Sequence, residues 1–281
     1  MFQNQINHRI TNRETSARSI YKDKGFTVQV SPDVGNKLLW VIDYEVSAKD
    51  HFYRFLWKYA HKHNLGKIIF PVRPYDLYLL KDERFVMEGY IDGFFAGAPG
   101  CILAGYPQPR RVLSASLAEE QRALSKILTL KRKKTSPLPA GIQIRQATEN
   151  EASALGLMLK INQTRITSAL KKGYLCLVAW QEKKVIGAAA AEHNFKYARS
   201  EITHCAVIPE YRDNILLSAI LESLQEKCHF LGIKCVYSLV KSSSYRMSLA
   251  LHRAGYLFRG TLINNCYTAG QFENINIWVS F

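Results

Sequence analysis

EITHCAVIPEYRDNILLSAI, residues 201–220, joins an apolar run to an amphipathic one. The first part, EITHCAV, is typical of a buried strand. From residue 215 onward, apolar side chains recur at 216, 217, 220, 221, 224 and 228, the spacing of one helix face, and Gly232 follows where a helix C-cap belongs. A strand that leads into a helix in this way presents backbone N–H groups at the helix start, and such groups bind anions. The segment therefore predicts an anion-binding turn, although that turn contains no glycine.

Strands and helices alternate on both sides of this segment. Thr148 and Glu151 form the capping box of a first helix, and the serines before Tyr245 cap a later helix that ends at Gly255. The predicted strands of this half are IQIR, YLCLVAW, KVIGAAAAEH, SEITHCAVI, IKCVYSLV, YLFRGTLI and NINIWVSF. The element order β-α-β-β-β-α-β-α-β-β predicts an α/β fold around one mixed sheet.

A charge run followed by two prolines marks a boundary in LKRKKTSPLPAG, residues 130–141. We therefore predict an N-terminal α/β domain over residues 1–130, a linker over residues 131–140 and a second domain over residues 141–281. In the first half, LLWVIDYEV, DHFYRFLWKYAHKHNLG, KIIFPV and GYIDGFF match a strand, a helix, a strand and a turn of the second half without a gap. The match indicates either an ancestral duplication or two unrelated units of ordinary length.

The chain is strongly basic, with a formal net charge of +15 over 281 residues. Such a charge attracts nucleic acid, a membrane surface or a phosphate-rich cofactor, or it serves only solubility. The sequence lacks the interleaved basic and aromatic pattern of a nucleic-acid module, and no apolar run approaches the roughly 18 residues of a membrane span. The polar N-terminal segment predicts a cytoplasmic protein. Six scattered cysteines without CxxC spacing predict reduced core thiols and no metal site.

The element order and the central segment resemble the GNAT acetyltransferase superfamily, whose fold is a mixed, mostly antiparallel sheet flanked by helices. In that superfamily the fourth strand leads into a pyrophosphate-binding loop with the pattern Arg or Gln, two residues, Gly, one residue, then Gly or Ala. The six matching positions here are Arg212, Asp213, Asn214, Ile215, Leu216 and Leu217. The arginine is kept and the glycines are replaced. Ile215 is β-branched and fits the backbone conformation of such a loop badly. The carboxylate of Asp213 weakens the attraction of the loop for phosphates. The loop is therefore a degenerate form of the pattern.

Most of the chain is similar to a narrower group, the β-lysine N-acetyltransferase family, which partners lysine 2,3-aminomutase. The similarity lies in EGYIDGFFAG (88–97), EITHCAVIPEYR (201–212), SSYRM (243–247), HRAGY (252–256), and LINNC with GQFENINIW (262–278). It implies a GNAT domain over residues 141–281, acetyl-CoA as the cofactor, and acetylation of β-lysine to Nε-acetyl-β-lysine, a compatible solute. The implied partner is a small-molecule amine, and the question of a homodimer stays open.

The resemblance also implies roles for residues of the fourth strand. The backbone of Cys205, Ala206 and Val207 would pair with the pantetheine arm, and the loop residues would hold the pyrophosphate. Glu201 would be the general base that takes a proton from the substrate ammonium, directly or through water. The alternative for Glu201 is an acidic strand residue that pairs with Arg199 or another cation.

Other candidate residues lie in the last part of the chain. Leu251 stands where many GNAT enzymes have the tyrosine that protonates the leaving thiolate, so Tyr245 is either the substitute or an ordinary packed aromatic. The candidate substrate-binding residues, which are otherwise turn caps, are Asn264, Asn265, Glu273 and Asn276. Trp278 is a candidate pocket wall. His204, where the family has an aspartate, is interpreted as a packed or solvent-facing residue.

Two functional hypotheses from different classes follow. The first is an acetyl-CoA-dependent N-acetyltransferase that acts on a small diamino acid. The second is a GNAT-like binding or regulatory protein without catalysis, which the altered loop, Leu251 and the short acceptor segment INQTRITSALKKGYL favour. The first half of the chain completes the substrate pocket, pairs across a dimer, or only supports the fold.

Overall fold

The structure, a computed structural model, describes residues 18–132, residue 138, residues 140–211 and residues 215–281. The strands of this part of the chain are β1 Ser19–Asp23, β2 Phe26–Asp33, β3 Leu38–Val46, β4 Lys67–Val72, β5 Phe85–Gly93, β6 Gly97–Gly105, β7 Gln143–Gln146, β8 Leu175–Gln181, β9 Lys184–Asn194, β10 Arg199–Val207, β11 Cys235–Lys241, β12 Leu257–Thr268 and β13 Gln271–Ser280. They form one mixed sheet in the order β1-β2-β3-β4-β6-β5-β12-β13-β11-β10-β9-β8-β7. The sheet therefore runs through both halves of the chain.

Helices cover both faces of this sheet. They are α1 Lys49–Lys62, α2 Leu117–Leu128, α3 Ala152–Leu159, α4 Gln163–Lys171, α5 Ile215–Phe230 and α6 Tyr245–Arg253. Helix α5 packs with Leu177 of β8 in one core, whereas α3 packs with the neighbouring Val178 in another. Since successive strand residues point to opposite faces, α3 and α5 lie on opposite faces of the sheet. None of the helices in the described ranges has the length and apolarity that a membrane crossing requires.

The two halves repeat one topology. In the second half the spatial order is β9-β10-β11-β13-β12, with β10 and β11 parallel and joined through α5. In the first half it is β2-β3-β4-β6-β5, with β3 and β4 parallel and joined through α1. The halves meet where Gly89 of β5 pairs with Gly260 of β12. A Cβ atom on Gly260 would lie 2.3 Å from Glu88 O, so this close strand contact requires glycine.

Most of the predicted elements are confirmed. LLWVIDYEV and KIIFPV are β3 and β4 to the residue, and α5 begins at Ile215. Gly232 and Gly255 have φ values of +77° and +90°, as C-cap glycines do. The α/β fold around one mixed sheet flanked by helices is confirmed. Residues 133–137 and 139 of the predicted linker lie outside the described residues, and the domain boundaries stay a prediction.

Two helices were missing from the sequence-based prediction. Helix α4 occupies the acceptor segment and begins after Asn162, whose side chain accepts a hydrogen bond from the backbone N–H of Thr164. Helix α2 precedes the predicted linker and packs Leu124 and Ile127 into the core of the second half. Both helices are short, so tertiary packing decides their formation. Five of the cysteines are buried, which agrees with core thiols.

The capping box at α3 makes stability depend on pH. Glu151 accepts hydrogen bonds from the Thr148 backbone N–H (2.7 Å) and from Arg145 Nη2 (2.9 Å). The bond from Arg145, with those from Thr148, lowers the pKa of Glu151 to about 2. A carboxyl with a lowered pKa stabilises the fold above its unfolded-state pKa, and that stability is lost as the pH falls through the folded-state pKa.

We therefore expect Glu151→Gln to lower the free energy of unfolding by about 1–2 kcal/mol at pH 7. The difference from wild type should shrink as the pH falls from about 5 to about 2. Urea unfolding at several pH values measures it. The matched control is Glu149→Gln, because Glu149 forms an exposed pair with Lys171 at 3.5 Å, and the loss of that pair should cost less than about 0.5 kcal/mol. A difference for Glu151→Gln that did not vary with pH would contradict this account.

Candidate active site

Strands β10 and β11 separate at the centre of the second half. Their parallel register runs from Arg199 opposite Cys235 to Ile202 opposite Ser238. Beyond these residues β10 stays paired with β9 and β11 stays paired with β13. A β-bulge at Thr203 interrupts the pairing of β10 with β9 at the same level. Bulges of this kind bend a strand and redirect its side chains, and they are common beside active sites.

The gap between β10 and β11 exposes a strand edge. One strand edge, at Cys205, Ala206 and Val207, has no β11 partner in this register and offers backbone groups to an extended ligand. Helix α5 begins beyond it with no acidic residue in its first turn, among the residues described there. Its leading backbone N–H groups suit a phosphate.

The loop residues of the predicted cofactor site are only partly described. Arg212, Asp213 and Asn214 lie outside the described residues. Ile215 is 38% exposed at the start of α5, whereas Leu216 and Leu217 are buried in the core. Leu216 and Leu217 therefore offer a ligand only backbone N–H groups, and their cofactor contact stays a prediction.

Glu201 lies on β10 just before the strands separate. Its side chain is buried, and Tyr237 Oη donates a hydrogen bond to Glu201 Oε2 at 3.0 Å. Arg199, the pairing partner considered from the sequence, donates from Nη1 to the carbonyl oxygen of Phe94 and stacks on its ring at 3.5 Å. Burial lowers the pKa of Arg199 from its usual range. The carboxylate of Glu201 is thus oriented by a hydroxyl group and positioned beside the gap.

A second carboxylate, Glu192, faces Glu201 directly across the sheet. The antiparallel register pairs Glu201 of β10 with Glu192 of β9. Arg18 approaches Glu192 at 3.7 Å. Like charges directly opposite each other destabilise a sheet. A glutamate pair in this position therefore indicates a functional role for the two carboxylates. Glu192 was not among the residues predicted from the sequence, although pairing β9 with β10 across their short connection places it opposite Glu201.

Two cavities meet at this pair of glutamates. The larger, which we call the main cavity, has a volume of about 330 Å³. Its walls come from both halves of the chain: Trp40, Pro71 and Ile102 from the first half, and Arg199, Tyr237 and Ile277 from the second. The smaller, which we call the side cavity, has a volume of about 80 Å³ and lies under α4. Glu192 and Glu201 line both cavities.

Histidines contribute uncharged polar groups to this region. His193 Nδ1 lies 2.5 Å from Ser200 Oγ, and burial lowers its pKa. His204 lines the side cavity, and burial, assisted by the positive charge of Arg165, lowers its pKa to about 4. Both rings are therefore neutral at physiological pH. Contrary to the solvent-facing alternative, His204 is only 1% exposed.

The other predicted site residues lie away from these cavities. Tyr245 is the first residue of α6 and is 43% exposed. Asn264 donates from Nδ2 to the carbonyl oxygens of Arg111 (2.9 Å) and Leu113 (2.8 Å). Trp278 is fully buried and packs against Phe258.

The remaining tail residues also have contacts within the chain. Asn276 Oδ1 accepts from Ser242 Oγ at 2.8 Å, and Glu273 pairs with Lys241 at 2.5 Å. Asn265 is 2% exposed. Neither cavity wall includes Asn264, Asn265, Glu273 or Asn276. Their role in substrate binding stays a prediction, and the contacts described tie strands and loops together.

Comparison with known proteins agrees with this geometry. The acetyltransferase (GNAT) family matches residues 144–256. N-acetyltransferase YodP of Bacillus subtilis is 31% identical over 268 residues, which cover 92% of this chain and 97% of that protein. A β-lysine N(6)-acetyltransferase of Methanosarcina mazei is 26% identical over 254 residues, which cover 78% of this chain and 92% of the relative.

Solved structures match about half of the chain. A GNAT superfamily phosphinothricin acetyltransferase from Sinorhizobium meliloti, in complex with acetyl-CoA, is 20% identical and superimposes with a TM-score of 0.44 over 50% of this chain and 88% of its own. The similarity to YodP extends over both halves of this chain and nearly all of the relative. The chain therefore belongs to the acetyltransferase (GNAT) family, and it is an N-acetyltransferase with acetyl-CoA as its cofactor.

Proposed function

We propose that the protein acetylates the terminal amine of β-lysine to give Nε-acetyl-β-lysine. The observation that supports this substrate is the cross-strand pair Glu192 and Glu201, which lines both cavities. The Cβ atoms of directly opposed residues lie about 5 Å apart, a spacing that suits the two ammonium groups of a short diamino acid. The name of the relative from Methanosarcina mazei supports the same substrate.

The main cavity has groups of opposite charge for both the ammonium groups and the carboxylate of β-lysine. β-Lysine carries two ammonium groups and one carboxylate. The cavity has the carboxylates of Glu192 and Glu201 and the guanidinium groups of Arg18 and Arg199. Apolar side chains such as Ile277 complete the wall and suit the methylene chain. Its volume of about 330 Å³ lies in the range of small-molecule sites.

The protein's own residues then divide the work of catalysis. When bound, acetyl-CoA supplies the acetyl group as an activated thioester. Backbone groups of residues 205–207 and the start of α5 would hold it, with Arg212 as a phosphate partner. Glu201 would take the proton from the substrate ammonium, because an ammonium has no lone pair for attack. Tyr245 stays our candidate for returning a proton from its hydroxyl group.

The substrate assignment is tested with matched amines. After calorimetry with acetyl-CoA, thiol release would be measured with β-lysine, with 6-aminohexanoate, which lacks the β-amine, and with 1,5-diaminopentane, which lacks the carboxylate. We expect kcat/KM to fall about 10- to 100-fold for each missing group, since a charged group of the site then lacks the counter-charge of the substrate. Equal kcat/KM values for β-lysine and 6-aminohexanoate would refute the assignment. Undetectable acetyl-CoA binding at high micromolar concentration would refute our assignment of the cofactor site.

The variant Glu192→Gln tests whether Glu192 binds the β-ammonium group of the substrate. We expect KM for β-lysine to rise about 10-fold, because the β-ammonium loses its counter-charge. KM for 6-aminohexanoate should stay within about twofold of wild type, since this amine has nothing for Glu192 to bind. An equal change for both amines would mean that Glu192 does not read the β-ammonium.

A further inference from the structure

His204 occupies a position that packing alone does not explain. It follows the bulge at Thr203 on β10, and its ring lines the side cavity together with Glu201. The side chain is 1% exposed. Neither ring nitrogen has a hydrogen-bond partner among the described residues. A buried polar group without a partner is costly, so it is rare in native proteins and calls for an explanation such as a ligand.

The groups that line the side cavity determine which hydrogen-bonding groups such a ligand must have. The ring is neutral, so it has one N–H donor and one acceptor nitrogen. Most of the cavity wall is apolar, including Leu159, Ile166 and Leu170. The titratable and charged groups that line it with His204 are Arg165, Tyr174, Cys176, Glu192 and Glu201. In the register of β10 with β9, Glu201 opposes Glu192 and His204 opposes Ala190, so the side chains of Glu201 and His204 lie on the same face of the sheet, beside the side cavity.

We propose that His204 binds the amine that is acetylated, by accepting a hydrogen bond from one of its N–H groups. The inference rests on the proposed function only in that Glu201 takes the proton from this amine; it holds for any acceptor. After Glu201 takes one ammonium proton, the neutral amine keeps two N–H bonds. The hydrogen that points to His204 remains in the product amide. The other leaves the nitrogen as a proton once the C–N bond has formed, while the C–S bond breaks and the thiolate takes up a proton. With the hydrogen bond to His204 held and a proton given to Glu201, the nitrogen lone pair has a defined direction. His204 is thus a binding and orienting group that keeps the same protonation state throughout.

The test compares two buried histidines that receive the same substitution. We expect His204→Leu to lower kcat/KM about 10- to 100-fold while Tm is unchanged or raised, because an unpartnered polar ring becomes apolar. His204→Gln, which keeps an acceptor, should recover part of the loss. The control is His252→Leu: His252 is buried and already bonded to Leu130 O at 2.9 Å, so this change should lower Tm and leave kcat/KM near wild type.

A binding measurement on the wild-type chain separates the two proposals. With histidine rings labelled at Cε1, adding the best amine of the panel without acetyl-CoA should shift the NMR signal of His204 and leave that of His252 unchanged. An unshifted signal, or a His204→Leu variant within twofold of wild-type kcat/KM, would overturn the role of His204. If Glu201→Gln is impaired while His204→Leu is not, this inference alone fails. If neither variant is impaired, the proposed base fails as well.

Discussion

Glu201→Gln is expected to lower kcat about 100- to 1,000-fold at pH 7, the range of a lost general base. Gln cannot accept the ammonium proton, and the bond from Tyr237 Oη to this side chain preserves the geometry. The deficit should narrow as the pH rises, because the free amine becomes abundant without a base. A pH profile of kcat and kcat/KM between pH 6 and pH 10 measures both effects.

The control for this prediction is Glu226→Gln, which removes an exposed carboxylate from α5 and should leave the profile unchanged. Acetyl-CoA affinity, measured by calorimetry, should be the same for wild type and Glu201→Gln. An unchanged kcat at pH 7 would remove Glu201 as the base. A deficit that was constant at every pH would indicate a structural role instead, since added free amine would then not compensate.

Glu88→Leu is expected to lower the free energy of unfolding by about 3–5 kcal/mol, the cost of leaving a buried charge without its partner. Lys67 Nζ lies 2.7 Å from Glu88 Oε2, and their side chains are 0% and 4% exposed. Lys67 Nζ also donates to Ile263 O at 2.5 Å, and Tyr106 Oη bonds to Glu88. These contacts lie where the first half meets β12, so the loss should weaken that junction.

The double variant Lys67→Met with Glu88→Leu is the matched control. It removes both charges, and a buried ion pair replaced by apolar side chains is often neutral or better. Urea unfolding should therefore show the double variant nearer to wild type than Glu88→Leu alone. If the double variant were less stable than Glu88→Leu, the attraction between Lys67 and Glu88 would have to exceed the cost of desolvating both charges.

Local features were predictable because they depend on neighbours in sequence. The capping box of Thr148 and Glu151 and the start of α5 follow from hydrogen-bonding groups and helical spacing within one turn. Glu201 was predicted from a resemblance on a single strand. Glu192 was not, because its importance arises only from the register of two strands.

The tail shows where residue type misleads. Asn264 has a positive φ of +47°, and its side chain bonds to carbonyl groups far away in the sequence. A polar residue in a family-specific segment suggests ligand binding, yet an asparagine in this conformation is equally suited to hold two segments together. Likewise, no local pattern shows that Trp40 and Pro71 would face the second half across a cavity.

Substitutions in the two halves of the chain are expected to affect different parts of the reaction. In the proposed function the acceptor lies in the main cavity, to which the first half contributes Trp40, Pro71 and Ile102. The proposed acetyl-CoA contacts come from the second. We therefore expect substitutions in β3, β4 and β6 to alter which amine fits without disturbing the donor, so that new acceptor specificities can evolve while cofactor use is inherited unchanged.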